Sequence, residues 1–191
     1  MALLGKADAR DALAQGRPAF IWQRLVADET TPVGAAARLI EPGRGDFLLE
    51  SVEGNAHRGR YSLLGLDPDL VLRAQSGSAE INRGWAENRD AFLPIQQPPL
   101  DALRALLDEI RTDIPADLPP AIATLVGYFA YESYGWIEPV ERAPGEGLGT
   151  PDLFFVRPRC LLVFDNIGDE LFVIAPLYPD GSGPETVIAE A

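Results

Sequence analysis

"FLLESVEGNAHRGRYSLLGLDPDLVLRAQSGSAEINRG", residues 47–84, is the stretch that decides the fold. Its apolar, β-forming runs are broken only by turn chemistry, with no helical period between them. The first run predicts a strand over 46–52, and "RYSLLGLDP" (60–68) its returning partner. "DLVLRAQ" and "AEINRG" predict two further antiparallel strands, joined at Ser76-Gly77. One feature is out of place. Glu50 and Ser51 put a carboxylate and a hydroxyl at the mouth of a core strand, and a polar hairpin follows.

Upstream, residues 7–15 predict a short amphipathic helix that ends at Gly16, with Pro18 beyond it. "PAFIWQRLVAD" (18–28) reads as a strand, and Thr31-Pro32 as an N-cap and first helical position opening a helix through about Ile40. Downstream, Leu100, Leu103, Leu106, Leu107 and Ile110 recur at helical spacing, predicting a helix over 99–114 with Asp101 near its positive end. "LFFVRPRCLLVFDN" and "DELFVIAPLYP" predict two closing strands turned at Asn166-Ile167-Gly168. "SGPETVIAEA" begins a helix, so the chain reads as a piece of a longer protein. Unevenly placed helices among many strands give an α+β class with mostly antiparallel sheets, not a βαβ array.

A length of 191 residues suits one domain, and 47% hydrophobic with 24% charged residues is ordinary for a folded protein. The formal charge of −13 argues against nucleic acid and anionic membranes as partners. No apolar run approaches the ~20 residues of a membrane span, and the first residues carry acids rather than a secretion signal; a cytoplasmic setting is expected. A single cysteine, Cys160, excludes a disulfide framework and reads as a small core residue. No phosphate-cradling glycine loop, zinc-ligand cluster or catalytic triad is present, and His57 reads as an exposed loop residue. No catalytic or metal-ligating residue is therefore expected in this chain.

Glu50 and Ser51 have two readings. One is a strand end reaching solvent. The other is a site for an amino acid, whose ammonium needs an acceptor and whose carboxylate needs donors. Glu50 supplies the first and Ser51 with nearby backbone N–H groups the second, while Leu48 and Leu49 would line an apolar pocket.

The run "LLESVEG…RGRYSLLGLDP" resembles the N-terminal part of anthranilate synthase component I, a chorismate-utilising enzyme. "GRPAFIWQRLVADETTPVGAAARL" is similar to that family's opening strand and helix, "LVGYFAYESYGWIE" to its Val-Gly-Tyr-x-x-Tyr segment, and "LFFVRPRCLLVFDN" to its late strand. The matches keep the family's order across nearly the whole chain. The resemblance implies that Leu49, Glu50 and Ser51 border an allosteric pocket for L-tryptophan. Tyr61, and Arg60 beside it, are candidates to close that pocket. Tyr128, Tyr131, Tyr134, Trp136, Trp22 and Trp85 are expected to be packing residues.

The resemblance further implies that residues 1–191 form a regulatory, tryptophan-sensing domain. The full-length enzyme would convert chorismate and ammonia to anthranilate and pyruvate with Mg²⁺, under feedback inhibition. Its metal and substrate groups would lie in a C-terminal catalytic domain outside this chain, and its ammonia would come from a glutamine amidotransferase subunit. The fragment alone is expected to be inactive. It would carry only part of the pocket, the missing wall removing apolar burial at ~25 cal/mol per Å². The sister enzyme aminodeoxychorismate synthase component I is the nearest alternative, and a stand-alone amino-acid-binding or interaction module the next.

Overall fold

Apolar runs and turn signals resolve into four helices and eight strands among the described residues, which are 3–51, 59–122, 124–138, 149–181 and 183–191 of this computed structural model. In chain order they are α1 (Lys6–Ala14), β1 (Ala19–Val26), α2 (Pro32–Leu39), β2 (Phe47–Leu49) and β3 (Tyr61–Gln75). Then come β4 (Ser78–Asn82), β5 (Leu93–Ile95), α3 (Pro99–Ile110), β6 (Val126–Phe129) and a 3₁₀ turn, Tyr131–Trp136. β7 (Leu153–Asp165), β8 (Glu170–Leu177) and α4 (Pro184–Glu190) follow. The α+β class with antiparallel pairing is as expected.

The chain forms two compact units: 1–68 with 110–124 and 158–191, and 69–109 with 125–157. In the first, the strand order is β1-β8-β7-β3, with β2 on the free side of β3. Phe20, Trp22, Leu63, Leu161, Val163, Phe172 and Ile174 bury one apolar cluster, and Leu118 joins them. Ala35 and Ala36 of α2 pack with Leu64, Leu66, Leu162 and Phe164 in a second cluster. Ala9 and Leu13 of α1 meet Ile188 of α4 in a third. The predicted cap of α2 is present: the Thr31 hydroxyl accepts the Gly34 N–H at 3.0 Å.

In the second unit β4 pairs with β3 and β5, and β6 pairs with β7. Ser76 and Gly77 both take positive φ, 51° and 83°, the geometry of a tight primed hairpin turn. Leu70, Leu72, Leu103, Leu106 and Leu153 are buried.

Three expectations change. "RYSLLGLDP" and "DLVLRAQ" form one strand, β3, because the interruption at Asp67-Pro68 is absorbed locally. Asp67 turns to φ 52° and its N–H is taken by the Asp46 carboxylate at 2.8 Å. An irregularity of that kind lets proline sit inside a sheet. The helix at 99–114 stops at Ile110, since Thr112 donates its hydroxyl to the Pro18 carbonyl at 2.9 Å and Pro115 disfavours helix before it. Leu107 is exposed, and Ala102 takes its expected place in the core. The strand predicted over 46–52 pairs only at 47–49, and residues 52–58 lie outside the described residues.

Candidate functional site

β2 is short, but β3 holds it in register: Phe47 faces Gly65, Leu48 faces Leu64 and Leu49 faces Leu63. Alternation places Phe47 and Leu49 on one face and Leu48 on the other. Phe47 and Tyr61 accordingly rest against the cluster containing Leu63 and Val163, whereas Leu48 rests against the cluster of α2. The absent side chain of Gly65 makes room for this approach, because a Cβ there would fall 2.2 Å from the Phe47 ring as it now lies.

Beyond β2, Glu50 and Ser51 lie outside any strand. Leu49 is 46% exposed and Glu50 is exposed, while Ser51 is half-buried. The Ser51 N–H donates to the Ser62 hydroxyl at 3.3 Å, so a fully buried side chain of β3 pins the backbone at this point. Tyr61 is half-buried beside it, and the Arg60 guanidinium lies 4.9 Å from its ring centre. Leu49 and Tyr61 thus share a sheet face, and Ser51 is tied to the strand that carries Tyr61. Among the described residues Glu50 has no ion-pair partner.

The β7–β8 turn completes the surroundings. Arg60 grips Asp165 with a two-pronged contact, Nε to Oδ1 at 2.9 Å and a terminal nitrogen to Oδ2 at 2.6 Å. Asp165 Oδ1 also accepts the Ile167 and Gly168 N–H groups, each at 3.1 Å. The Arg60 fork, helped by those two N–H groups and opposed by burial, holds the Asp165 carboxyl below the usual carboxylate range. The Asn166 side-chain amide donates to the Gly59 carbonyl at 3.2 Å and to the Ser62 hydroxyl at 3.3 Å. Sequence reasoning missed Ser62, Asp165 and Asn166. Their only signal was placement in "RYS" and "FDN", because polar residues that hydrogen-bond across a hundred positions leave no period.

Residues set aside earlier fall into two groups. Trp22 is buried in the core, and Cys160 is half-buried against the α2 cluster, where burial pushes its thiol pKa up. Trp85 is half-buried and meets the Phe92 ring edge-on. Tyr134 and Trp136 are half-buried as well. Tyr128 and Tyr131, expected to pack, are instead 42% and 85% exposed. β6 is only four residues long and lies on β7, so Tyr128 has Phe154 to stack on while Tyr131, past the strand, meets Tyr134 edge-on. His57 lies outside the described residues.

No family model matches the chain. Its sequence is 41% identical over 166 residues to anthranilate synthase component 1 of Cereibacter sphaeroides, covering 85% of this chain and 33% of that protein. It is 35% identical to the Synechocystis protein of the same name, over 84% of this chain and 31% of that one. For the Thermus thermophilus protein the figures are 34%, 84% and 32%. The crystal structure of anthranilate synthase component I from Streptococcus pneumoniae shares the fold: TM-score 0.54 at 21% identity, over 88% of this chain and 34% of that one. The chain therefore spans about a third of the length of the curated relatives it matches. By descent it is a homologue of anthranilate synthase component 1, matched over that third.

Proposed function

We propose that this chain is the N-terminal regulatory part of an anthranilate synthase component I, and that Leu49, Glu50, Ser51 and Tyr61 are its share of an allosteric site for L-tryptophan. The observation that carries the reading is the join of β2 and β3: an exposed Glu50 next to a half-buried Ser51 whose backbone is pinned by Ser62. An α-amino acid would put its ammonium on Glu50 and its carboxylate on the Ser51 hydroxyl, with Leu49 and Tyr61 against its side chain. Each charge-assisted hydrogen bond of this kind contributes about 1.5–3 kcal/mol.

The full-length enzyme would convert chorismate and ammonia to anthranilate and pyruvate in a C-terminal catalytic domain. It would be cytoplasmic and draw ammonia from a glutamine amidotransferase subunit. No helix of the described residues is long and apolar enough to cross a membrane. The Mg²⁺ of the reaction would be held by the catalytic domain; among the described residues no grouping of three or more His, Cys, Asp or Glu is placed to hold a metal. Feedback requires that tryptophan bind the inhibited state more tightly than the active one.

The test is tryptophan inhibition of the full-length enzyme carrying Ser51→Phe or Glu50→Ala. Both should raise the inhibitory concentration by about ten-fold or more, one decade per ~1.4 kcal/mol, with kcat for anthranilate unchanged. Unaltered inhibition of both variants would refute the site. Formation of aminodeoxychorismate instead of anthranilate would move the chain to the sister enzyme.

A further inference from the structure

We infer that Asn166 is a positioning residue of the effector site, acting through Ser62 on Ser51; the inference rests on the reading of the site given above. Asn166 opens the β7–β8 turn, 104 positions from Ser62, and its side-chain amide reaches Gly59 and Ser62 at the start of β3. It donates to the Gly59 carbonyl at 3.2 Å, and its own backbone N–H donates to the Arg60 carbonyl at 2.8 Å. On Ser51 it acts indirectly. Its amide donates to the Ser62 hydroxyl, the same oxygen that accepts the Ser51 N–H.

A hydroxyl oxygen has two lone pairs, and here both are engaged. The Ser62 oxygen, fully buried, can therefore hold only the orientation that serves Asn166 and Ser51 together. Removing the Asn166 amide releases one of the two restraints on that oxygen and the restraint on Gly59. Ser51 keeps its hydroxyl but loses its fixed place relative to Glu50. A ligand that must bridge the two then bears the cost of ordering them. Asn166 need not touch the ligand for this to hold.

The partners of the neighbouring Asp165 distinguish the roles. Its carboxylate is spent on Arg60 and on the turn's own N–H groups, so it stabilises the turn. Only the Asn166 side chain crosses from the turn to Ser62.

The experiment compares Asn166→Ala, Asn166→Asp and Asn166→His with Ser51→Phe in the full-length enzyme. It reads the tryptophan inhibitory concentration, kcat and chorismate KM, and melting temperature. Loss of two neutral hydrogen bonds predicts that Asn166→Ala weakens inhibition about five- to twenty-fold, with kcat and KM unchanged. Asn166→Asp, which sets a carboxylate against the Gly59 carbonyl, should weaken it at least as much. Asn166→His, whose ring N–H near the amide position can replace one of the two donations, should restore part of it. Ile21→Val, in a buried cluster elsewhere, should lower melting temperature without moving inhibition.

Inhibition within about two-fold of wild type in Asn166→Ala, alongside a strong effect of Ser51→Phe, would overturn the positioning role and leave the effector site standing. No effect from either would overturn both. If Asn166→Ala does not fold, equal inhibition of the Asp and His variants is the overturning result. An effect of Ile21→Val as large as that of Asn166→Ala would reduce the role to general stability.

Discussion

The smallest groups at the site carry the most positional information. Ser62 and Asn166 are a hydroxyl and an amide from β3 and from the β7–β8 turn, and together they locate Ser51. Glu50 and Ser51 were legible in the sequence as an anomaly, because polar residues at the mouth of an apolar strand break the expected pattern. Their anchors were not legible, since nothing local distinguishes Ser62 from any other serine in a strand. The Arg60–Asp165 contact makes a residue-scale prediction of its own. Asp165 is held below the usual carboxylate range by Arg60, so the stability it contributes is present above the unfolded-state value, about pH 4, and fades as pH falls through the lower folded value. The melting temperature of Arg60→Ala should accordingly trail that of wild type most at pH 7. The gap should narrow below about pH 4, when scanning calorimetry is run as a pH series. A gap that widens on acidification would show that the pair is not the source.

At the scale of elements, β2 depends on the bare backbone of Gly65. Gly65→Ala puts a methyl group into the Phe47 ring, and over-packing of this kind costs about 1–3 kcal/mol, readable as a lower denaturant midpoint at unchanged slope. Displacing β2 also moves Glu50 and Ser51, so tryptophan inhibition should weaken in the same variant. A midpoint equal to wild type would mean that Phe47 has room to turn away. The positive-φ backbone at Asp67 within β3 rests on Asp46, whose side chain is fully buried. Burial alone would raise its pKa; the Arg44 guanidinium and the Glu41 and Asp67 N–H groups outweigh that and lower it. Asp46→Ala leaves the Glu41 and Asp67 N–H groups without this acceptor and takes the carboxylate from the Arg44 guanidinium, and should cost about 2–3 kcal/mol in equilibrium unfolding. A loss below about 0.5 kcal/mol would show that water replaces the carboxylate. Hairpin turns and helix caps were readable because their chemistry is local: Thr31, Ser76 and Gly77 act within a few residues of themselves. The continuity of β3 through Asp67-Pro68 was not readable, because it depends on the Asp46 carboxylate, twenty-one positions away, accepting the Asp67 N–H. The exposure of Tyr128 and Tyr131 escaped notice for a related reason: aromatic content announces apolar surface without saying whether anything covers it.

For the whole molecule, the sequence motifs and the comparisons meet on the same protein family, and the match covers about a third of each relative. The chain carries a formal charge of −13 and folds into two compact units, and the proposed zwitterion site uses residues of the first. The central claim is that Leu49, Glu50, Ser51 and Tyr61 receive L-tryptophan as this chain's part of a feedback site. Calorimetric titration of L-tryptophan into the full-length protein, wild type and Ser51→Phe side by side, tests it most directly. Saturable binding by the wild type, weakened about ten-fold or more in Ser51→Phe, is the predicted result. Equal binding by the two proteins would contradict the account.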